Sequence, residues 1–264
     1  TVQAAISPSS NFTVSHRHIA VRIGTRDVTG HFFVGPVAPH FSHVYTPTKD
    51  KCGDKRSSVY VSSTSYGCSL AVNAGFFDMS SGACIGSLVS DGTVIRTSGN
   101  RITSTIAMTK GDHPSMIFGY VTDKLVETDR FEQLVQGRAW LVRKGKSFVN
   151  ESKAIEGYSI SFINLIAPRM AVGSDKDGNL VVVAIEGNES EKKGITLFEF
   201  ADLLLKMGLI NAVNLDGGGS TTVVRGHNIC TSLGLPVDAT CDFTTQPPSH
   251  MPTARSVTSF LCFM

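Results

Sequence analysis

Residues 211–222 combine an acidic side chain, three glycines and a group of hydroxyls in one short stretch. Asp216 follows an apolar segment that predicts a buried strand. The residues after it are Gly217, Gly218, Gly219, Ser220, Thr221 and Thr222. The three glycines and the hydroxyls of Ser220 and Thr221 are candidates for binding the substrate. Glycines allow positive φ and a close approach of the backbone to a ligand, and successive N–H groups in such a turn can form an anion-binding concavity. An acid beside an anion cradle indicates chemistry on a phosphorylated or otherwise anionic substrate.

A second carboxylate, Glu186, follows the apolar strand pattern of residues 179–185. Hydrolysis at a sugar carbon commonly uses two carboxylates, one on either side of the scissile bond. Glu186 and Asp216 are therefore the candidate catalytic pair. The alternative, which the spacing alone leaves equally open, is that Glu186 is a solvated strand-end residue and that Asp216 caps a turn.

The segment between these two acids predicts how they come together. Thr196 and Glu199 form a capping box, and the apolar spacing after it predicts a helix near 197–207. Strand, helix and strand in this order predict a crossover unit, in which two parallel strands end at the same edge of the sheet. Because ligands usually bind at that edge, Glu186 and Asp216 are predicted to share one site.

Three further side chains are candidates for substrate binding. Asn73 ends a short apolar strand, where its amide can meet a hydroxyl or an N-acetyl group. Phe76 follows in a small-residue turn, where its ring can stack on a sugar. Arg169 begins an apolar strand, and a guanidinium there suits bidentate binding of phosphate. The structural alternatives are a turn with a core phenylalanine and, for Arg169, a salt bridge.

Several other functional classes lack their sequence signals. The eight histidines have no catalytic-triad context, and the glycine run lacks the lysine of a P-loop. No His, Cys and carboxylate residues have metal-ligand spacing, so no metal is expected. A formal net charge of +2 without a long run of Lys or Arg indicates no nucleic-acid partner. No apolar run approaches the roughly 20 residues that span a bilayer.

Cysteines and sequons together indicate a protein of the secretory pathway. Six cysteines without a Cys-x-x-Cys motif favour disulfides over zinc, and their count alone does not fix the pairing. Sequons for N-glycosylation begin at Asn11, Asn150 and Asn188, each in a polar segment that is expected to be exposed. The alternative is a cytosolic protein with buried free thiols.

The predicted fold is strand-rich, of the α+β or mixed α/β class, with a central mixed sheet and one strong crossover helix near 197–207. Many short strand patterns separated by turn residues precede Arg169, and the Asp-x-Asp-Gly turn at 175–178 predicts a hairpin. Residues 1–18 lack periodicity and are predicted to form a flexible segment. A single folded domain would then span residues 19–264.

Together, these features resemble the phosphodiester glycosidase family. The matching runs are 73–77, 81–86 with 89–91, 168–173, 194–205 and 211–222. The Asn-Leu-Asp-Gly-Gly-Gly-Ser run at 214–220 is the most specific of them. The resemblance covers nearly the whole chain from about residue 19 to 263, and it implies that 19–264 is a phosphodiester glycosidase catalytic domain.

The resemblance implies a defined activity, that of the family's eukaryotic member. This is the removal of N-acetylglucosamine from a GlcNAc-α-phospho-mannose diester, without an organic cofactor, which exposes mannose 6-phosphate. The partners would be phosphorylated high-mannose glycans of lysosomal enzymes, and the location would be the trans-Golgi lumen or, after secretion, the outside of the cell. Oligomeric state stays open, a homo-oligomer included. The competing functions are hydrolysis of another sugar-1-phosphodiester and lectin-like binding of phosphorylated glycans without turnover.

The resemblance also implies roles for the candidate residues. Asp216 and Glu186 would jointly attack the anomeric carbon or activate water. Asn73 would orient the sugar. Arg169 and the amides of the glycine run would stabilise charge on the departing phosphate.

Three disulfides are predicted with the resemblance in view, which includes the cysteines at positions 52, 68, 84 and 262. They join Cys52 to Cys84, Cys68 to Cys262 and Cys230 to Cys241. The last would close a local loop. The second would tie the closing strand to the strand that enters Asn73.

Overall fold

The structure is a computed structural model, and it describes residues 14–36, 42–48, 51–53, 55–225 and 255–264. The strands in these ranges are β1 (Ser15–Ile23), β2 (Arg26–Gly35), β3 (Ser42–Tyr45), β4 (Leu70–Asn73), β5 (Leu88–Ser90), β6 (Thr93–Arg96), β7 (Ser104–Thr109), β8 (Met116–Tyr120), β9 (Phe131–Gln136), β10 (Trp140–Arg143), β11 (Lys146–Ser147), β12 (Arg169–Asp175), β13 (Leu180–Ile185), β14 (Leu209–Leu215), β15 (Val223–Arg225) and β16 (Phe260–Phe263). The helices are α1 (Val59–Tyr66), α2 (Asp123–Val126), α3 (Val149–Glu156), α4 (Ile160–Asn164) and α5 (Leu197–Lys206). None of these helices has the length and apolar character needed to cross a membrane.

Three sheets make up the strand-rich fold. A seven-stranded sheet has the order β1-β2-β13-β12-β14-β10-β11, a four-stranded sheet the order β15-β4-β16-β3, and a five-stranded sheet the order β6-β5-β9-β7-β8. Every pairing between these strands is antiparallel. The prediction of a strand-rich fold is therefore confirmed, whereas the predicted central mixed sheet is wrong, because the described strands pair only in the antiparallel sense.

The predicted hairpin explains why the sheet is antiparallel. β12 and β13 pair through the turn at 175–178, and β14 then pairs with the other edge of β12. Helix α5 joins β13 to β14, which run in the same direction because each is antiparallel to β12. β12 lies between the two strands that α5 connects, so β13 and β14 are not paired with each other.

Both faces of the seven-stranded sheet are buried, which explains the continuous apolar runs of its inner strands. Along β12, Met170 and Val172 pack into the core shared with the other two sheets, while Ala171 packs into the core beneath the helices. Along β13, Val182 and Val183 divide in the same way. Alternate residues of one strand therefore serve two cores, so neither face can accept a polar side chain without disturbing packing.

Helix α5 begins and ends within one residue of the prediction. Thr196 Oγ1 accepts from the Glu199 N–H, and Glu199 Oε2 accepts from the Thr196 N–H. Arg26 of β2 also pairs with the Glu199 carboxylate. Phe200 and Leu204 are fully buried against the sheet. The ion pair with Arg26 thus connects the capping residue Glu199 to β2, and this connection fixes where α5 starts.

Two of the three predicted disulfides lie within the described residues. Cys52 is bonded to Cys84, and Cys68 is bonded to Cys262. The second bond connects the residue after α1 and its cap with β16, which pairs with β4. Cys230 and Cys241 lie outside the described residues.

The sequons differ in their surroundings. Asn150 is exposed on α3, as predicted, and Asn11 lies outside the described residues. Asn188 is only 5% exposed, and its Nδ2 donates to Glu191 Oε1 at 2.9 Å. The exposure predicted for Asn188 is therefore wrong, because this amide is used inside its own loop.

The predicted flexible segment 1–18 is wrong for residues 15–18, which belong to a strand. β1 begins at Ser15 and pairs along its full length with β2. Its alternation was visible only from Ile19 onwards, since His16 and His18 are polar residues on a strand at the edge of the sheet. Residues 1–13 lie outside the described part of the chain.

Replacement of Thr196 by Ala should destabilise the domain by about 0.5–2 kcal/mol, because the first turn of α5 loses its cap. Chemical denaturation at an unchanged m-value is the measurement. Thr64→Ala is the matched control, since the Thr64 hydroxyl donates to the Tyr60 carbonyl within α1 and caps nothing. Equal effects of the two substitutions would contradict the capping role of Thr196.

Candidate active site

The ends of two strands meet on either side of the start of β12. Ile185, the last residue of β13, pairs with Arg169, and Leu215, the last residue of β14, pairs with Met170. Glu186 and Asp216 therefore leave their strands at the same edge of the seven-stranded sheet. The direction of each side chain then decides which groups share a site.

A buried amide holds the turn that begins at Asp216. The Asp216 N–H donates to the Ala74 carbonyl at 3.0 Å, and Asn73 Nδ2 donates to the Asp216 carbonyl at 2.7 Å. Asn73 Oδ1 accepts from the Thr222 N–H at 3.0 Å, and Asn73 is 0% exposed. Both ends of this amide are used inside the protein. Asn73 is thus a positioning residue, and the predicted contact between Asn73 and a sugar is not supported.

The glycine run leaves space for neighbouring side chains, and it does not form the open anion-binding turn that was predicted. The Gly217 N–H donates to Asp216 Oδ1, and the Gly218 N–H donates to the Pro168 carbonyl. Gly218 has a φ of +57°, and a Cβ there would overlap the Glu189 carboxylate. Two of the amides predicted to bind an anion are therefore already used, and the absence of a side chain at Gly218 is what admits Glu189.

The Glu189 carboxylate lies at the glycine turn, against Gly218. Burial is the main cause of the raised pKa of Asp216, and the negative charge of Glu189 adds to it and also acts on Arg169. Glu189 was not predicted, because it is the middle residue of the sequon at 188–190, which was expected to be exposed. Its position three residues after Glu186, in the connection that leaves β13, was the available signal.

Arg255 is the second residue of the site that the sequence analysis missed. Its guanidinium lies against Gly219, where a Cβ would come 2.5 Å from Nη2. Its Nε is buried and has no hydrogen-bond partner within the described ranges, and its charge lowers the pKa of Asp216. A cation with an unused donor beside an acid is suited to holding an anion. The sequence showed only a lone arginine ahead of the closing strand.

Asp216 has an unusual acidity for an aspartate. It keeps intermediate exposure, but burial of its carboxylate raises the pKa to about 6. The Ser220 hydroxyl, the Gly217 N–H and the charge of Arg255 act in the opposite direction. Of these, the buried Ser220 hydroxyl lies near without completing a hydrogen bond. A group with a pKa near the working pH is well suited to proton transfer.

The residues at the end of the glycine run line the inside of the turn. Ser220 is 0% exposed and Thr221 is 7% exposed. Thr222, also buried, directs its hydroxyl to the Ser220 carbonyl at 3.1 Å. These hydroxyls are therefore enclosed by the turn, and direct binding of substrate, predicted for Ser220 and Thr221, is not supported by their burial.

Glu186 points away from Asp216. Its carboxylate accepts from Thr29 Oγ1 at 2.7 Å and lies 3.2 Å from His31 Nε2. Thr29 and His31 belong to β2, which lies on the other side of β13 from β14. Burial acts to raise the pKa of Glu186, but the hydrogen bonds from His31 and Thr29 outweigh it and the pKa is lowered. The structure therefore does not bring Glu186 together with Asp216, and the acid that lies at the glycine turn is Glu189.

Arg169 is built into the wall of the site. It is 3% exposed, and its Nη2 donates to the carbonyls of Leu165 at 2.7 Å and Phe162 at 3.1 Å. Its guanidinium carbon lies 5.1 Å from the centre of the Phe162 ring. Burial lowers the pKa of Arg169 to about 10, opposed by the charge of Glu189. Arg169 thus supplies positive charge from behind the turn, and its bonds do not leave the open fork predicted for phosphate.

Phe76 lies beside the site at the mouth of a cavity. Its ring meets the Phe162 ring edge-on, with 6.2 Å between centroids. Phe76 is partly exposed and lines a cavity of about 360 Å³. Of the residues predicted to bind substrate, Phe76 is the one with a side chain facing open space.

The site thus brings together two acids and two guanidinium groups, those of Asp216, Glu189, Arg169 and Arg255. Within the described ranges, no group of three or more His, Cys, Asp or Glu residues could hold a metal ion. One acid tuned to near-neutral pH, a second acid and a partly unused cation can bind an anion and move a proton beside it.

Comparisons with known proteins agree with this chemistry. The family model described as phosphodiester glycosidase matches residues 66–264. The N-acetylglucosamine-1-phosphodiester alpha-N-acetylglucosaminidase of Mus musculus is 35% identical over 237 residues, covering 82% of this chain and 44% of that protein. The Homo sapiens protein of the same name is 33% identical over 222 residues, covering 76% of this chain and 42% of that protein. This chain therefore spans less than half the length of these relatives.

Solved structures show the same fold. The catalytic domain of the zebrafish N-acetylglucosamine-1-phosphodiester alpha-N-acetylglucosaminidase superposes with a TM-score of 0.81 at 27% identity, covering 100% of this chain and 86% of that one. A hypothetical protein from Synechocystis, 14% identical with a TM-score of 0.67, shares the fold and covers 97% of this chain and 64% of that one. By its matching family model and by its identity to the mouse and human proteins, the chain belongs to the phosphodiester glycosidase family.

Proposed function

We propose that this chain is a hydrolase that removes N-acetylglucosamine from GlcNAc-α-1-phospho-6-mannose diesters on lysosomal enzyme glycans, leaving mannose 6-phosphate. The observation behind the proposal is the pair of acids at the glycine turn, with Arg255 beside them, in a chain related to enzymes named for this reaction. A phosphodiester carries one negative charge next to the bond that breaks, and the two guanidinium groups complement that charge.

Asp216 acts as the general base in this proposal. A phosphate monoester is a good leaving group, so protonation of the leaving oxygen is less important than in ordinary glycosidases. The Gly217 N–H holds Asp216 Oδ1, which orients the carboxylate towards a water molecule. As the water oxygen bonds to the anomeric carbon, its proton passes to Asp216, and the bond from that carbon to the phosphate oxygen breaks with the electron pair leaving on phosphate.

Glu189 and the arginines stabilise the charges that develop in this step. The sugar ring acquires positive character in an oxocarbenium-like transition state, which a second carboxylate nearby favours. The departing phosphate gains negative charge, which the positive charge of Arg255 beside the turn stabilises. Arg169 is buried in the wall of the site, so its positive charge acts on the phosphate without direct contact.

The setting that we propose is the secretory pathway, in the lumen of the trans-Golgi or outside the cell. Disulfides persist in such oxidising compartments, and the described residues contain two of them, Cys52–Cys84 and Cys68–Cys262. The exposed Asn150 is a candidate for N-glycosylation there. The proposed partners are phosphorylated high-mannose glycans.

Turnover separates this proposal from its two competitors. Hydrolysis of other sugar-1-phosphodiesters in preference to GlcNAc-phospho-mannose, measured over a substrate panel, would support a different glycosidase. Binding of phosphorylated glycans with no product after long incubation would support a lectin-like module. Release of GlcNAc and mannose 6-phosphate in equal amounts is the result that we expect.

Asp216→Asn should lower kcat for GlcNAc release by about 10²–10⁴-fold, because the amide cannot accept a proton. Asparagine retains an oxygen that can accept from the Gly217 N–H, so the turn should stay folded, and thermal unfolding checks this. Glu186→Gln is the matched control and should leave kcat close to that of the wild type, since Glu186 is bonded to β2. Full activity of Asp216→Asn would refute the mechanism.

The activity should fall as pH drops through about 6, because protonation of Asp216 removes the base. In Glu189→Gln this limb should move to lower pH, since the negative charge that raises the pKa of Asp216 is gone. The measurement is kcat from about pH 4 to pH 8. Glu151→Gln, an exposed acid on α3, should leave the limb unchanged. Activity that instead falls as pH rises through 6 would assign Asp216 to the role of an acid.

A further inference from the structure

The cavity beside Phe76 has the size of a small-ligand site. Its volume of about 360 Å³ lies at the lower end of the roughly 300–1,000 Å³ that such sites occupy. Six of its lining side chains matter here: Phe76, Arg101, Ile102, Thr103, Arg138 and Ile155. A cavity of this size takes one or two sugar rings and leaves no room for a branched glycan.

Two backbone hydrogen bonds connect the walls of this cavity to the strand and turn that carry Asp216. The carbonyl of Ala74 accepts from the Asp216 N–H, and Phe76 follows two residues later. On the other wall, the Arg138 N–H donates to the Asn214 carbonyl at 2.9 Å, two residues before Asp216. Two residues of extended chain span at most about 7 Å. The backbones of Phe76 and Arg138, which line the cavity, therefore lie within about 10 Å of the Asp216 backbone.

The lining combines apolar and cationic side chains. The partly exposed Phe76 ring and two exposed isoleucines, Ile102 at 55% and Ile155 at 42%, offer apolar surface. Arg101 and Arg138 are exposed at the same cavity. The Arg138 guanidinium carbon lies 5.3 Å from the centre of the Phe162 ring, which the Arg169 guanidinium also approaches, at 5.1 Å. Arg138 thus stands on the side of the cavity that faces the catalytic turn.

Two other polar side chains in the lining are already engaged. Glu156 accepts from the Ala139 N–H at 3.0 Å and from Ser152 Oγ at 2.7 Å. Gln136 accepts from the Ser87 N–H and donates to the Val121 carbonyl. Thr103 differs, because its Oγ1 is buried with no partner in the described ranges. A rotation about χ1 exchanges the hydroxyl and methyl of a threonine, and a hydroxyl on a ligand could then satisfy this oxygen.

We propose that this cavity binds the terminal N-acetylhexosamine of the substrate, with its apolar ring face and N-acetyl methyl against Phe76, Ile102 and Ile155. Thr103 then meets a ring hydroxyl, and Arg138 faces the phosphate where it joins the anomeric carbon. The assignment rests on the proposed function for the identity of the sugar. It defines which end of the diester enters first: the terminal sugar is enclosed, and the glycan attached to protein stays in solvent.

Filling the cavity tests this assignment. Ile155→Trp should lower kcat/KM for GlcNAc-phospho-mannose at least about ten-fold, because the indole occupies the space of the sugar. It should also weaken binding of free N-acetylglucosamine, measured by NMR titration in the Asp216→Asn background. Ile160→Trp is the matched control: Ile160 is 56% exposed on the neighbouring helix and does not line the cavity. It should change neither quantity.

The outcomes separate the subsite from the function. A wild type that cleaves, with Ile155→Trp equal to it in cleavage and binding, would overturn the subsite and leave the function standing. A wild type that does not cleave but binds N-acetylglucosamine, with binding lost only in Ile155→Trp, would support the subsite and overturn the function. Equal losses in Ile155→Trp and Ile160→Trp would overturn the subsite, because the effect would not depend on the cavity.

A second variant avoids any change of volume. Thr103→Val removes only the hydroxyl and should weaken binding of N-acetylglucosamine by about 2- to 12-fold, the size of one hydrogen bond. A sugar that lacks the hydroxyl reached by Thr103 should show no such loss between wild type and variant. Identical affinities of wild type and Thr103→Val for all deoxy analogues tested would refute the proposed contact.

Discussion

The buried side-chain amide of Asn73 joins the four-stranded sheet to the seven-stranded sheet at the catalytic turn. Asn73 ends a strand of the four-stranded sheet, and its side chain holds both the first and the last residue of the turn that leaves the seven-stranded sheet, Asp216 and Thr222. Burial makes each bond important, because an unsatisfied amide at this position would cost about 1–3 kcal/mol. The glycine turn is therefore fixed from outside by the neighbouring sheet, and Glu189 and Arg255 are arranged around a backbone that cannot shift freely.

Local signals in the sequence were sufficient for individual elements. The capping box of α5 and the hairpin turn at 175–178 were predicted because their determinants lie within a few residues of each other. The order of strands was not predictable in this way. Whether β14 pairs with β13 or with β12 depends on which edge is free once the hairpin has formed, and that competition between distant segments leaves no mark in a short window.

The residues of the site also divide into those with a local sequence signal and those brought in from distant segments. Asp216 was predicted because its strand and its glycines are contiguous, whereas Glu189, the acid that lies at the glycine turn, was not predicted. A residue at a strand end can direct its side chain to either neighbouring strand, and here Thr29 and His31 of β2 capture Glu186. Arg255 comes to Gly219 from a segment 36 positions later in the chain, so no spacing rule could have connected them.

The position of β16 has a consequence for the timing of maturation. This strand, residues 260–263, lies inside the four-stranded sheet between β3 and β4, and Phe260 pairs with Asn73 itself. During synthesis, β4 is made roughly 190 residues, and β3 roughly 215 residues, before the strand that joins them, at about 5–20 residues per second. The amide that holds the catalytic turn therefore acquires its final neighbours only after this last strand has emerged, so the nascent chain stays without an assembled site until then.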